Sequence, residues 1–486
     1  MNRKMTNVLS KAVLLILVFS MLASLTSCGF SKEEVDFDLF GKENLIAVEN
    51  EDGEWGYINK SGKEVIKCQY DEARPFSEGL AAVCSDGKWG YINKKGDKVI
   101  KLKFEDAQFF DKDGYAIVKS DGKYGFINKK GEFVIKAKFD SVDIFNEFDL
   151  CIAKKDGLVG IIDRKGEKVV NFEYLSISSF YEDGYAVVTN KEGLSGVIDK
   201  KGKEVIKEKY SRISGAGDDL FAKNGLLLVA NTSGKYGFLD KKGEKKISFS
   251  FESAYSFAEN GLAAAMEDGK WGFIDKSGDF VIDADFDSVR SFGKNGLAAV
   301  REDDEWGFIN KSGKFVIDAE YSSVYSFNEE NDLVVVSVED KNGKSLYGVI
   351  NAKGKVIIEP DYDDVDLYDE CIIADDGEED VLLTLAGKEV ESYEKITVAS
   401  MTAKGDLLVA YNDDGECALI TSKGKIKIDF TEDFDIEGIT DDGYVVVSDD
   451  EGVFGFLKLN GKEAFKPADD YYNCYPHAMV DIYFAK

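Results

Sequence analysis

Carboxylates are the commonest reactive side chains of this chain: 92 Asp and Glu against 61 Lys and Arg, with a single histidine, His477. Two carboxylates suffice in principle for glycoside hydrolysis. One histidine, however, removes histidine-based triads, HExxH zinc sites and most histidine-dependent phosphoryl chemistry. Neither a Walker A loop, nor G-x-S-x-G, nor a dinucleotide-binding glycine motif occurs. The acidic runs "PDYDDVDLYDE" (360–370) and "DDGYVVVSDDEG" (441–452) offer oxygen ligands for Ca²⁺, yet neither has the D-x-[DN]-x-[DN]-G order with a distal Glu. Asp283, Asp285 and Asp287 recur as an alternating acidic stripe, which is the pattern of a solvated strand face. No catalysis, cofactor or metal is expected.

The seven cysteines carry no C-x-x-C spacing. Cys68, Cys151, Cys371 and Cys417 fall at repeat positions that other copies fill with Ala, Leu or Trp, so they read as small buried hydrophobes. Cys84 and Cys474 lie outside those columns and are expected to be partly exposed. Cys28 is different. Arg3, Lys4 and Lys11 precede the apolar run "AVLLILVFSMLASL" (12–25), the layout of a secretory signal. The run closes on Leu25-Thr26-Ser27-Cys28, which resembles the lipobox of bacterial lipoproteins. That resemblance implies diacylation of Cys28 and a chain held by lipid on the extracytoplasmic face of a bacterial cell membrane. The formal charge of −31 disfavours nucleic acid and acidic lipid surfaces as partners.

These groups are carried on a repeat. "EDGKWGFIDKSG" (267–278) returns as "EDDEWGFINKSG" (302–313) and as "EDGEWGYINKSG" (51–62). Aligned on the glycine after the aromatic, the copies run through Gly56, Gly90, Gly125, Gly160, Gly196, Gly237, Gly272, Gly307, Gly348 and Gly455, with Val381 and Ala418 at that place in two degenerate copies. Spacings of 33 to 41 residues define about twelve units.

Each unit reads as a three-stranded β-meander. "GLAAAM" (261–266) is a first strand, Asp268-Gly269 a two-residue hairpin turn, and "KWGFI" a second strand. "DKSG" is a second turn, and "DFVIDADF" a third strand with one apolar and one acidic face. The expected fold is all-β, and the repeats stack to bury a shared aromatic column, either as a propeller or as an open twisted solenoid. Trp55-Gly56, Trp89-Gly90, Tyr124-Gly125, Trp271-Gly272 and Trp306-Gly307 define that column. Its rings are preferred as core, because the face they occupy must also pack the repeats. Exposed, they would form a platform for sugar rings.

The pattern "GLAAV–DGKWGYINKKG–VI–F" resembles the WG-repeat (KWG-repeat) family of bacterial surface and secreted proteins, over roughly residues 39–465. That resemblance implies binding or scaffolding and no shared catalytic activity. The expected organisation is a signal peptide at 1–27, lipidated cysteine and linker at 28–38, regular repeats at 39–370, degenerate repeats at 371–440, and a last repeat with a terminal strand at 441–486. That strand, "HAMVDIYF" (477–484), either closes a ring or caps an open array. The expected partner is an extracellular protein, with a glycan or the cell wall as the alternative.

Overall fold

The computed structural model describes residues 42–402, 405–439, 443–449, 454–465 and 471–475. The signal run, Cys28 and the segment 477–484 therefore lie outside the described residues. Within them the chain forms strands and no helix, arranged as twelve antiparallel four-stranded sheets, numbered as blades 1–12 in chain order.

Blade 7 shows why the sequence takes this form. Its strands are Ser253–Ala254, Ala263–Glu267, Lys270–Ile274 and Phe280–Phe286, paired in chain order. The hairpin between the second and third closes on the pair Glu267 and Lys270. Its turn residues Asp268 and Gly269 both have positive φ, 50° and 78°, which gives a turn whose twist matches that of the strands. In the next turn the Asp275 carboxylate accepts from the backbone N–H groups of Ser277 (2.8 Å) and Asp279 (3.3 Å), and Gly278 takes φ 89°. The same carboxamide or carboxylate device recurs at Asn59, Asn93, Asn128 and Asp163. In the degenerate copies Thr384 and Thr421 do it with a hydroxyl.

The count of three strands per repeat is corrected to four, the first to fourth strands of a blade in chain order. The extra strand is the short first one, such as Ser253–Ala254 against Ala265–Met266. Two residues are too few to show any hydrophobic period, so this stretch reads as a linker in the sequence.

Ring closure also departs from expectation in its details. Blade 1 holds its own second strand, Leu45–Asn50, so the vacant place is that of a first strand. Tyr471–Tyr475 fills it, antiparallel, with Val48 opposite Cys474. Among the described residues the closing strand is Tyr471–Tyr475; the segment 477–484 lies outside them. The result is one propeller-like ring of twelve blades, beyond the usual four to eight.

In blades 1–11 both faces of the third strand are buried, as in blade 7, where Phe273 and Ile274 are each 0% exposed. The division into an apolar and an acidic face belongs to the fourth strand alone, where Asp283 and Asp285 are exposed. At six of the joints between blades the contact is an aromatic pair. Phe273 meets Phe292 of the next blade with centroids 4.8 Å apart, and the same 4.8 Å separates Tyr57–Phe76, Tyr91–Phe110, Phe126–Phe145, Phe238–Phe257 and Phe308–Phe327. Where the first member is tyrosine, its hydroxyl donates to the next blade's backbone, Tyr57 to Arg74 O and Tyr91 to Gln108 O, each at 2.7 Å. A phenol can thus enter the joint without leaving a polar atom unpaired.

Cys68, Cys84, Cys151, Cys371 and Cys417 are thiols rather than disulfides, and all five are buried. Cys84 therefore corrects the expectation of partial exposure: it lies directly opposite Trp89 on the neighbouring strand and is 2% exposed. Burial pushes its thiol pKa up, with Glu72 and Asp71 adding to the shift.

Candidate functional site

The Trp-Gly pairs sit on the third strands. Trp89 and Trp271 are buried, and Trp55, Tyr124 and Trp306 half-buried. Several of their ring faces are covered. The Arg74 guanidinium lies 4.6 Å from the Trp89 ring centre, Arg290 5.7 Å from Trp306, and Tyr255 stacks on Trp271 at 4.9 Å and 27°. Lys119 lies 5.4 Å from Tyr124.

The glycine beside each ring is required by a bulge. Between Trp271 and Phe273 the third strand advances two residues while its partner runs from Phe286 back to Ile282. The surplus backbone folds over Gly272, where a Cβ would lie 2.5 Å from Ile282 O and 2.7 Å from the Asp283 carbonyl. Gly56, Gly90, Gly125 and Gly307 face the same backbone in their own blades, at 2.5 to 2.7 Å.

A second set of residues converges on the first-strand side. Blades 7, 8 and 9 begin with Ser253-Ala-Tyr-Ser-Phe257, Ser288-Val-Arg-Ser-Phe292 and Ser323-Val-Tyr-Ser-Phe327. The second residue of each is buried and the aromatic fifth residue packs on the preceding blade. The central residue is free to vary and points out: Tyr255 is 39% and Tyr325 52% exposed, and Arg290 is exposed. A cleft of about 590 Å³ opens here, lined by side chains from 212 to 329 including Arg212, Ser214, Tyr255 and Lys294. Residues of four consecutive blades can meet in one cleft only where blades converge, so the first strands lie on the central side of the ring. A smaller cleft of about 210 Å³ adjoins it between Arg290 and Tyr325. The side-chain Nδ2 of Asn295, which lines this smaller cleft, is buried with no acceptor among the described residues. Burial raises the Tyr325 pKa, helped by Tyr347, Asp364 and Asp366 and opposed by Arg290, so the phenol is neutral near pH 7 and can donate.

Sequence reasoning missed this triplet. Its signal was present: a five-residue motif at 35-residue spacing in which only the centre changes chemistry. Among the described residues no group of three or more His, Cys, Asp or Glu is placed to hold a metal ion.

A family model described as "WG containing repeat" matches residues 55–89, 89–124, 124–158, 160–193, 236–271, 271–306, 306–341 and 347–370. The chain belongs to the WG-containing repeat family. The WG repeats so matched form blades 1–4 and 7–9 with their flanking strands. The structure adds blades the family model passes over, and explains their sequences. In blade 10, Val381 takes the glycine position, opposite Ala374 as Gly307 is opposite Val300. Its fourth strand, Glu389–Tyr393, has five residues instead of seven, and the pairing shifts by a single residue. In blade 11 the position is Ala418 and the fourth strand, Ile426–Thr431, has six. The smaller the bulge, the larger the side chain beneath it.

No curated protein matches the chain. Among solved structures, a eukaryotic initiation factor aligns at 10% identity over 65% of this chain and 96% of that one, with a TM-score of 0.32. BamB from Moraxella catarrhalis aligns at 13% identity over 58% and 96%, with a TM-score of 0.24. Hsv2 from Kluyveromyces lactis aligns at 10% identity over 48% and 89%, with a TM-score of 0.25. Likenesses this distant say nothing about what a WG-repeat ring binds.

Proposed function

We propose that this WG-repeat ring is a lipid-tethered binding protein of a bacterial surface, which engages a protein partner through the central stations of blades 7–9 and performs no catalysis. The observation that supports it is the exposed triplet Tyr255, Arg290 and Tyr325, set at one position in three successive blades, with Tyr255 lining the larger of two adjoining clefts and Arg290 and Tyr325 the smaller. Tyrosine and arginine are the residue types that dominate protein interfaces. Similar stations on adjacent blades let several weak contacts act together. A glycan reading through the tryptophan column is less favoured, because Trp89 and Trp271 are buried and carry Arg74 and Tyr255 on their faces.

The test is chemical cross-linking on intact cells. The triple variant Tyr255→Ala, Arg290→Ala, Tyr325→Ala is expected to lose captured polypeptide at least tenfold while keeping the parent's cooperative unfolding, which is checked alongside because removing Tyr255 and Arg290 also uncovers Trp271 and Trp306. Undiminished capture overturns the reading, as does capture abolished by a soluble cell-wall glycan. The tether has a separate test. Cys28→Ser is expected to move the protein from the membrane fraction to the medium with the ring intact, and equal membrane retention refutes it.

A further inference from the structure

The bulged middle of the fourth strand is exposed in every regular blade, and its charge is not distributed evenly around the ring. Blade 2 presents Lys101 and Lys103, blade 3 Lys136 and Lys138, and blade 5 Lys207 and Lys209, all exposed. Blade 4 is mixed, with Asn171 and Glu173, and blade 6 is neutral, with Ser248 and Ser250. From there the sign reverses. Blade 7 presents Asp283 and Asp285, blade 8 Asp318 and Glu320, and blade 9 Glu359 and Asp361, again all exposed. In a ring of twelve, blade 8 stands opposite blade 2 and blade 9 opposite blade 3. A chain with formal charge −31 thus carries a basic arc diametrically across from an acidic one. None of these twelve side chains is in an ion pair within the ring, among the described residues.

Both arcs also offer backbone and apolar surface. Each fourth strand is terminal in its sheet, so its outer edge is unpaired. Val99 and Val134 on the basic side, and Val316 and Val356 on the acidic side, are 36–45% exposed. Lysines on a free edge ordinarily guard it against pairing, because two like edges repel. That guard fails against an edge of opposite sign, and here the opposite sign sits on the far side of the same molecule.

We propose that copies of this chain associate head to tail, with the fourth-strand edges of blades 2 and 3 in one ring meeting those of blades 8 and 9 in the next. The occupant is a second copy because the ring itself carries the complementary surface in matching form: two strands, two charges each, and exposed valines on both. Such a contact is heterologous and leaves a free arc at each end, so it propagates as strings of rings rather than closing as a dimer. Charge pairs at an exposed edge are individually weak and screened by salt. The association is therefore salt-sensitive, and is favoured where many copies share one surface.

The experiment is sedimentation velocity of the full chain in a non-ionic detergent, at about 20 mM and about 500 mM salt, conditions that change the screening length severalfold. The wild-type chain is expected to form concentration-dependent assemblies at low salt that dissolve at high salt. An acidic-edge variant (Lys101→Glu, Lys103→Glu, Lys136→Glu, Lys138→Glu) and a basic-edge variant (Asp318→Lys, Glu320→Lys, Glu359→Lys, Asp361→Lys) are each expected to weaken self-association at least tenfold. Mixed in equal amounts, the two are expected to assemble again, since each then meets the opposite sign at both arcs. A wild-type chain that sediments as a monomer at low salt overturns the proposal without reference to the variants. So does self-association by either variant at wild-type strength, or a basic arc that binds a polyglutamate probe while the chain stays monomeric.

Discussion

Phe273→Ala is expected to lower the stability of the joint between blades 7 and 8 by about 3–5 kcal/mol, the range for removing a large aromatic from a core. Phe273 is 0% exposed and meets Phe292 at 4.8 Å, within a cluster that takes Ile282 and Phe286 from one blade and Val289, Val300 and Ile309 from the next. Because each blade packs only on its neighbours, the loss of protection in hydrogen exchange should centre on blades 7 and 8 and fade around the ring. The cycle completed with Phe292→Ala should show a coupling of about 0.5–1.5 kcal/mol, the part due to the ring pair itself. A cost below about 1 kcal/mol would place the joint elsewhere. A uniform loss of protection around all blades would contradict neighbour-only packing.

Gly272→Val is expected to be at least as damaging as typical overpacking, about 1–3 kcal/mol, because what the new side chain meets is backbone and cannot rotate away. Its Cβ would stand 2.5 Å from Ile282 O. The fourth strand of blade 7 should detach or be displaced, seen as fast exchange at residues 280–286. The degenerate copy indicates the remedy. Blade 10 keeps Val381 at this place with a fourth strand of five residues, where blade 7 has seven. Deleting Asp283 and Ala284 in the Gly272→Val background removes the overlying bulge and keeps the strand's alternation, since the deletion is even. At least half of the lost stability should return. A tolerated Gly272→Val, or a deletion that makes matters worse, would sever the link between bulge size and side-chain size.

Much of this architecture is written locally, and local features are what a sequence shows. Asp268-Gly269 and Asp275-Lys-Ser-Gly278 set two turns through left-handed backbone and a side-chain acceptor, so two hairpins per repeat follow from a dozen residues. Repeating them at near-constant spacing yields an all-β repeat chain and its family, whatever the repeats pack against. A glycine beside each aromatic points to a close approach by a neighbouring backbone or ring, and only the structure shows that it is the backbone of the blade's own fourth strand.

What the sequence left open depends on residues distant in the chain. Ring or solenoid is decided by Val48 lying opposite Cys474, a pairing that no periodicity encodes. The two-residue first strand exists only because its blade's second strand lends it hydrogen-bond partners, as where the Tyr255 N–H at its end donates to Ala264 O at 2.9 Å. The burial of Ile274 behind Phe273 requires a neighbour on each side of the blade, and one blade alone would have left a face wet. The candidate site is of the same kind: Tyr255, Arg290 and Tyr325 are 35 residues apart from one to the next and become adjacent only when three blades stand side by side. Turn chemistry acts over four residues and can be read in order. Closure, burial and the gathering of side chains at the centre are properties of contacts between turns of the ring, and only the tertiary structure decides them.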